Sequence, residues 1–393
     1  MSGALSGITV VDLTRVLSGP YCTMILADMG ARVIKIEQPR KGDDTRGWGP
    51  PFVKGESAYF MSVNRNKESV TLDFKTPAGR AILDRLIASA DVVVENFRPG
   101  TLQKLGLDYA SLAPAYPRLV YCSVSGFGHT GPRSREAGYD AVMQAEGGVM
   151  SLTGTPEGAP TKFGVAIADV ATGMFAAQGI TAALLHRERG GLGQFVDVAM
   201  LDSVAALLTY QSGIYFATDA PPPRLGNRHP TIAPYETFTA ADGDFILAVG
   251  NDEQWRRFCD VAGIAVDPRF ATNRQRVGDY TSFKPELDRL LKTRTRADWI
   301  TALKAAGVPC GAVRDLDELF SDPQIAARGM VATVAHATAG AQRVVGTPLK
   351  FSATPNAIRQ APPALGEHTD AVLSGDLHYL PQQIAALRAE GVI

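Results

Sequence analysis

Short β-rich apolar runs alternate with helix-patterned stretches through the first third of the chain. Ile8–Leu13, Arg32–Glu37, Ser69–Phe74, Asp91–Glu95 and Leu119–Val124 read as strands. Pro20–Leu26 and Pro77–Ala88 read as helices with proline in the first turn, and Gly30 stops the first. Such repeats predict a parallel sheet with helices on both faces and right-handed crossovers. A long helix is expected over Val170–Arg189, closed by Gly190-Gly191-Leu192-Gly193. A strand over Gln194–Ala199 and a helix over Leu201–Ala217 follow. Pro221, Pro222, Pro223, Pro230 and Pro234 then predict a stiff, extended linker.

Beyond the linker come a strand over Phe245–Val249, a helix from Asp252, and amphipathic helices near 283–292 and 296–306. From Met330 the chain has β-character punctuated by Pro348, Pro355, Pro362 and Pro363, and a last helix spans Pro381–Ala389. The expected organisation is α/β: a large Rossmann-like domain over 1–218, a linker over 219–234, a smaller α/β domain over 235–329, and a segment over 330–393 that returns to the large domain.

Composition narrows the function classes. The 393 residues carry 39 basic and 40 acidic side chains, 45% apolar and 20% charged residues, as in an ordinary globular protein. Near-zero net charge argues against nucleic acid or an anionic membrane as partner. The N-terminal segment has no basic or Arg-rich leader pattern, and the most apolar helical run, Gly173–Leu185, reads as a core helix. A cytoplasmic protein is expected. Cys22, Cys122, Cys259 and Cys310 form no CxxC pair, and the six histidines form no HxxxH or HExxH, so no metal site is expected.

Residues 8–37 imitate a dinucleotide-binding unit, with Glu37 where an acid would meet a ribose. The intervening turn reads Arg15-Val16-Leu17-Ser18-Gly19-Pro20, without the G-x-G-x-x-G that lets a pyrophosphate approach the backbone. A nicotinamide cofactor is therefore not expected.

Asp169 stands alone between two apolar runs at the mouth of the long helix. It reads either as a helix cap or as a functional carboxylate kept ionised by the helix dipole. Its small neighbours, Gly164, Ala166, Ala168, Ala171 and Gly173, leave room for a ligand, and no nucleophile–histidine or metal constellation competes with it.

The chain resembles the class III CoA-transferases, the formyl-CoA transferase and carnitine CoA-transferase group, over about 1–375. The resemblance is carried by Gly7-Ile8, Val11-Asp12-Leu13-Thr14, Gly19-Pro20, Gly30-Ala31, Val33-Ile34-Lys35-Ile36-Glu37, Asn64-Arg65-Asn66-Lys67, Leu72-Asp73, Lys75, Asp91 to Gly100, Gly138-Tyr139-Asp140, Asp169-Val170, Thr172-Gly173 and Gly366-Glu367-His368-Thr369, in that order. It implies an interlocked homodimer and a transferase that moves coenzyme A from an acyl-CoA to a free carboxylic acid, with no tightly bound cofactor. Asp169 would be the nucleophile, and Asp140 an acid placed near it. Coenzyme A contacts would fall on Val16, Leu72, Lys75, Asn96, Phe97 and Lys104. Arg98, in the same loop, is a candidate phosphate partner. Arg40 is a candidate near the adenine, although the family's arginine sits two positions earlier, at Gln38. Tyr139 and Leu17 would line the substrate cavity.

Two departures bear on the substrate. Formyl-CoA transferase has glutamine at the position of Leu17, and a glycine-rich loop where this chain reads Arg224-Leu225-Gly226-Asn227-Arg228-His229-Pro230. Arg228 and His229 are therefore candidates for a carboxylate on a larger acid, such as a short di- or hydroxy-carboxylate, with succinyl-CoA as donor. The alternative is an α-methylacyl-CoA racemase-like epimerase. That activity needs a second base, and Tyr139 stands where the racemase has histidine; a tyrosine is a weak base at neutral pH. His129 is the substitute to consider. A non-enzymatic acyl-CoA binder is a further alternative, which an intact Asp169 disfavours.

Overall fold

The computed structural model describes residues 3–393. Contacts divide the chain into two compact units. The larger comprises residues up to Val149, Lys162–Gly213 and Pro323–Ile393; the smaller comprises Met150–Thr161 and Ile214–Asp322. The smaller unit thus takes in residues 150–161, which the sequence reading kept in the large domain, and residues 330–393 belong to the larger unit.

The larger unit is built on six strands: β1 (Thr9–Asp12), β2 (Arg32–Glu37), β3 (Lys67–Thr71), β4 (Val92–Glu95), β5 (Val120–Ser125) and β6 (Phe195–Ala199). They pair in parallel in the order β3-β2-β1-β4-β5-β6. This is the doubly wound order, and its direction reverses between β1 and β4. The central strands are apolar on both sides, as a sheet covered on both faces requires.

On one face, α1 (Ser18–Asp28) and the 24-residue α5 (Ile167–Gly190) bury Cys22, Leu26, Ala176, Ile180 and Leu184 against Val33, Val92 and Val120. On the other, α3 (Pro77–Ala88) packs with α11 (Thr369–Gly375) and α12 (Pro381–Ala389) over Val11, Val70, Val93 and Tyr121. Thr76 caps α3 ahead of Pro77, and Gly191 ends α5 at φ 83°. By length and composition α5 is apolar enough to cross a bilayer, but half of its most apolar window is buried in this unit.

The C-terminal segment also covers the sheet edge. His368 Nδ1 accepts the Ser69 N–H at 3.3 Å, and Thr369 Oγ1 accepts the Thr71 N–H at 3.0 Å. Both donors belong to the edge strand β3, whose open N–H groups would otherwise invite further pairing.

Gly173 explains how closely α1 and α5 cross. A Cβ there would lie 2.6 Å from the Ser18 carbonyl oxygen, a backbone atom that cannot swing aside. The same crossing brings the first turns of the two helices together.

The smaller unit holds an antiparallel sheet of β7 (Tyr235–Thr239), β8 (Asp244–Ala248) and β9 (Cys310–Ala312). Its core joins Phe238 and Phe245 to Trp255 and Phe258 of α8 (Asp252–Ala262), Phe283 of α9 (Tyr280–Leu291) and Trp299 of α10 (Arg296–Ala305). The single helix expected over Leu201–Ala217 is two, α6 (Met200–Leu207) and α7 (Thr209–Thr218), and Thr209, which opens the second, has φ 38°.

Candidate active site

The strand order places a crevice at the carboxyl ends of β1 and β4, where the winding reverses. A cavity of about 320 Å³ lies there. The loop after β1 and the start of α1 contribute Arg15, Val16 and Ser18; the loop after β4 contributes Asn96, Phe97 and Arg98; Glu136, Tyr139, Asp169 and Met200 are also on the wall.

Asp169 lies in the first turn of α5 and is not its cap; the cap position is Ala166, which has no side chain to offer. Asp140 supplies the missing acceptor. Its carboxylate takes the Ala168 N–H at 2.9 Å and is itself held by the Gln144 amide at 2.7 Å. Asp140 therefore acts behind the nucleophile candidate, as a cap for α5 and a like charge beside Asp169. The backbone N–H and hydroxyl of Ser18 lie near enough to Asp169 to favour its ionised form. Ser18 is the first helical residue of α1, so its N–H is one that the helix leaves unmade.

These surroundings act on Asp169 alongside the helix dipole. Burial, and next to it the charge of Asp140, push its pKa up to about 6; the Ser18 donors oppose this without cancelling it. A carboxyl raised from 3.8 binds its proton more tightly folded than unfolded. Its contribution to stability is therefore complete below about pH 4 and is lost as pH rises through about 6. Nucleophilicity has the opposite sense. We expect kcat/KM to fall about tenfold per unit below about pH 6. Asp140→Asn keeps an acceptor for Ala168 but removes the charge, so the acid limb should move to lower pH; pH–rate profiles of the two proteins check this.

The loop that carries Ser18 is held from beneath by buried charges. Asp43 accepts the Val16 N–H with both oxygens at 3.3 Å and is anchored by Lys35 Nζ at 2.9 Å. Val16 sits at φ 70°, a strained conformation for a β-branched residue, which this clamp maintains. Lys35 Nζ also donates to the Thr14 carbonyl at 2.8 Å. Glu37, the mimic of a ribose-binding acid, is buried and spent on Arg46, with two contacts at 2.7 Å, and on the Ser69 hydroxyl.

The remaining candidates divide clearly. Val16, Phe97, Arg98 and Tyr139 line the Asp169 cavity. Asn96 lines it too, but its side-chain amide is committed to the backbone of Arg15, at 2.8 and 2.7 Å. Leu72 and Lys75 line an adjoining cavity of about 180 Å³ that shares Arg15 and Phe97. Arg40 and Lys104 are exposed and line neither cavity. Leu17 is corrected: it is 8% exposed and packs with Met24 and Val63, so it is core and not cavity wall.

In the smaller unit, the Arg228 guanidinium stacks 4.0 Å from the Tyr280 ring centroid. His229 accepts the Thr231 N–H on Nδ1, and burial lowers its pKa. The neutral form of His229 is thereby favoured in the free protein. His129 is paired with Ser123 at 2.7 Å and lines a separate cavity of about 190 Å³, which also holds Glu95. Among the described residues lining the Asp169 cavity there is no histidine to act as a racemase base.

The sequence reading passed over Trp48 and Tyr59. Their rings meet edge to face at 5.2 Å, and the Tyr59 phenol is raised to about 12 by burial and then by Asp169 and Asp140. It remains an O–H donor near both acids. An exposed tryptophan in the proline-flanked run Trp48-Gly49-Pro50-Pro51 was the available signal.

The model of CoA-transferase family III matches residues 5–369. A succinate–glutarate CoA-transferase of Agrobacterium fabrum is 47% identical over 383 residues, covering 94% of this chain and 95% of that protein. A succinyl-CoA:glutarate CoA-transferase of Homo sapiens is 38% identical over 392 residues, covering 99% and 90%. The crystal structure of a CAIB/BAIF family protein from Brucella suis superposes with a TM-score of 0.85 at 44% identity, covering 95% and 99%. The matched span, these relatives and the site at the switch point agree, and the chain belongs to CoA-transferase family III.

Proposed function

We propose that this enzyme moves coenzyme A from succinyl-CoA to a short dicarboxylic acid, and that Asp169 is the covalent carrier. The Asp169 carboxylate attacks the donor thioester; the C–S bond breaks, CoA thiolate leaves, and a mixed anhydride forms. The thiolate then attacks the aspartyl carbonyl, giving an aspartyl-CoA thioester and free succinate. The acceptor carboxylate attacks that thioester, and returning thiolate takes the new acyl group. Each bond broken is replaced by one of similar energy, so neither ATP nor a metal is required.

The observation that carries this reading is Asp169 on the wall of the switch-point cavity, together with Ser18 at the start of α1 and the loop after β4. The unmade N–H groups of that helix start would stabilise the oxyanion formed when thiolate attacks the aspartyl carbonyl. Val16, Phe97 and Arg98 would guide the pantetheine arm. Leu72 and Lys75 would line the nucleotide, with Arg40 and Lys104 at its rim. The names of the similar proteins support succinyl-CoA as donor and a five-carbon diacid as acceptor. The same reading includes a cytoplasmic, interlocked homodimer. Exposed apolar side chains of the larger unit, Met174 at 55% and Leu185 at 53%, are consistent with burial by a second chain.

Incubation of the protein with succinyl-CoA and glutarate, followed by chromatography and mass spectrometry, should yield glutaryl-CoA and succinate without ATP. Release of free CoA without a new thioester, or no exchange with any acid in a broad panel, would overturn the reading.

A further inference from the structure

The Asp169 cavity has two cations among its lining residues, Arg98 and Arg15. A diacid that presents one carboxyl to Asp169 brings its other carboxylate to the same cavity, whose wall also holds Glu136, so a nearby cation favours it. As a sphere, a cavity of this size is about 8–9 Å across. A four- or five-carbon diacid spans roughly 4–5 Å between its carboxyl carbons, whereas an extended pantetheine arm separates thiol from diphosphate by about 15 Å or more. A cation sharing this wall with Asp169 is thus within reach of the far carboxylate; Arg15 also lines the adjoining cavity beside Leu72 and Lys75, so the test below separates this role from a phosphate contact.

Of the two, Arg15 is the better built. Its backbone N–H and C=O are both tied to the Asn96 amide, at 2.8 and 2.7 Å. Its guanidinium is aimed by Asp44 at 3.0 Å and lies 5.6 Å from the Phe97 ring centroid. Both arginines are exposed, Arg15 with 51% of its side chain, and what distinguishes Arg15 is this set of contacts. We infer that Arg15 recognises the far carboxylate of the acyl group and so determines a preference for dicarboxylic over monocarboxylic acids. This rests on the CoA-transfer reading above.

The test compares succinyl-CoA transfer to glutarate and to valerate, acids of equal chain length, in the parent, Arg15→Gln and Arg15→Lys. The readout is the ratio of the two kcat/KM values, which is insensitive to the fraction of folded enzyme. Loss of a charge-assisted pair should lower that ratio roughly ten- to hundredfold in Arg15→Gln, with partial recovery in Arg15→Lys. CoA affinity by calorimetry should stay within about twofold of the parent. An unchanged ratio overturns the inference. So does an equal loss for both acids with weakened CoA binding, which would make Arg15 a phosphate ligand. If the parent transfers CoA to no acid, the functional reading itself fails.

Discussion

Asp169→Ala should lower CoA exchange by about 10⁴-fold or more, the scale on which removal of a covalent nucleophile acts. CoA should still bind, because the loops after β1 and β4 and the cavity beside Leu72 and Lys75 do not depend on that carboxyl. Asp169→Asn is the stricter variant. It preserves size and can still accept from Ser18, yet an amide cannot form the anhydride. Equal loss in both variants, with CoA affinity retained by calorimetry, separates a covalent role from a packing role. Near-parental exchange in Asp169→Asn would make Asp169 a binding residue only.

Lys67→Met should destabilise the larger unit by about 3–5 kcal/mol, seen as a fall in Tm of about 5–10 °C. Lys67 is fully buried; its Nζ reaches Asp12 at 3.2 Å and the Pro20 and Asn64 oxygens at 2.9 Å. Burial alone would raise the Asp12 carboxyl, but Lys67 and Lys35 hold it below its ordinary value. Burial also lowers Lys67 to about 8, against the pull of Asp12. Without Lys67, a carboxylate with no exposure is left in the core facing one remaining lysine. Adding Asp12→Ala should recover part of the loss, because an absent pair is less damaging than a half pair. A drop under about 1 kcal/mol in Lys67→Met would show that Lys35 alone balances Asp12.

Much of the frame was legible because it is written in local terms. The strands β1, β2, β4, β5 and β6 follow from β-branched runs, and Pro77, Gly30 and Gly191 punctuate helices as their geometry requires. Asp169 stood out because nothing else nearby in sequence was charged. What stayed hidden was tertiary. The first turn of α5 begins at Ile167, ahead of the expected Val170, because Asp140, 28 residues earlier, caps it from outside. The raised pKa of Asp169 has the same origin.

Asn96 reads as a ligand residue in its loop, but its amide is consumed by the backbone of Arg15, 81 residues away. Leu17 looks available beside Val16, yet the turn into α1 aims it at Met24 and Val63. His368 and Thr369 carry no sequence signal for their work on the edge of β3, since that edge is created only when the sheet assembles. The family resemblance pointed to Asp169; the strand order explains why a crevice opens beside it, between β1 and β4.

The most direct measurement follows oxygen through Asp169. When aspartyl-CoA is attacked by an acceptor carboxylate and thiolate then takes the acyl group, the bridging oxygen stays on the aspartate. Turnover with succinyl-CoA and glutarate labelled with heavy oxygen should therefore leave the label on Asp169, read by peptide mass spectrometry. Brisk exchange with an unlabelled Asp169 would contradict the covalent account.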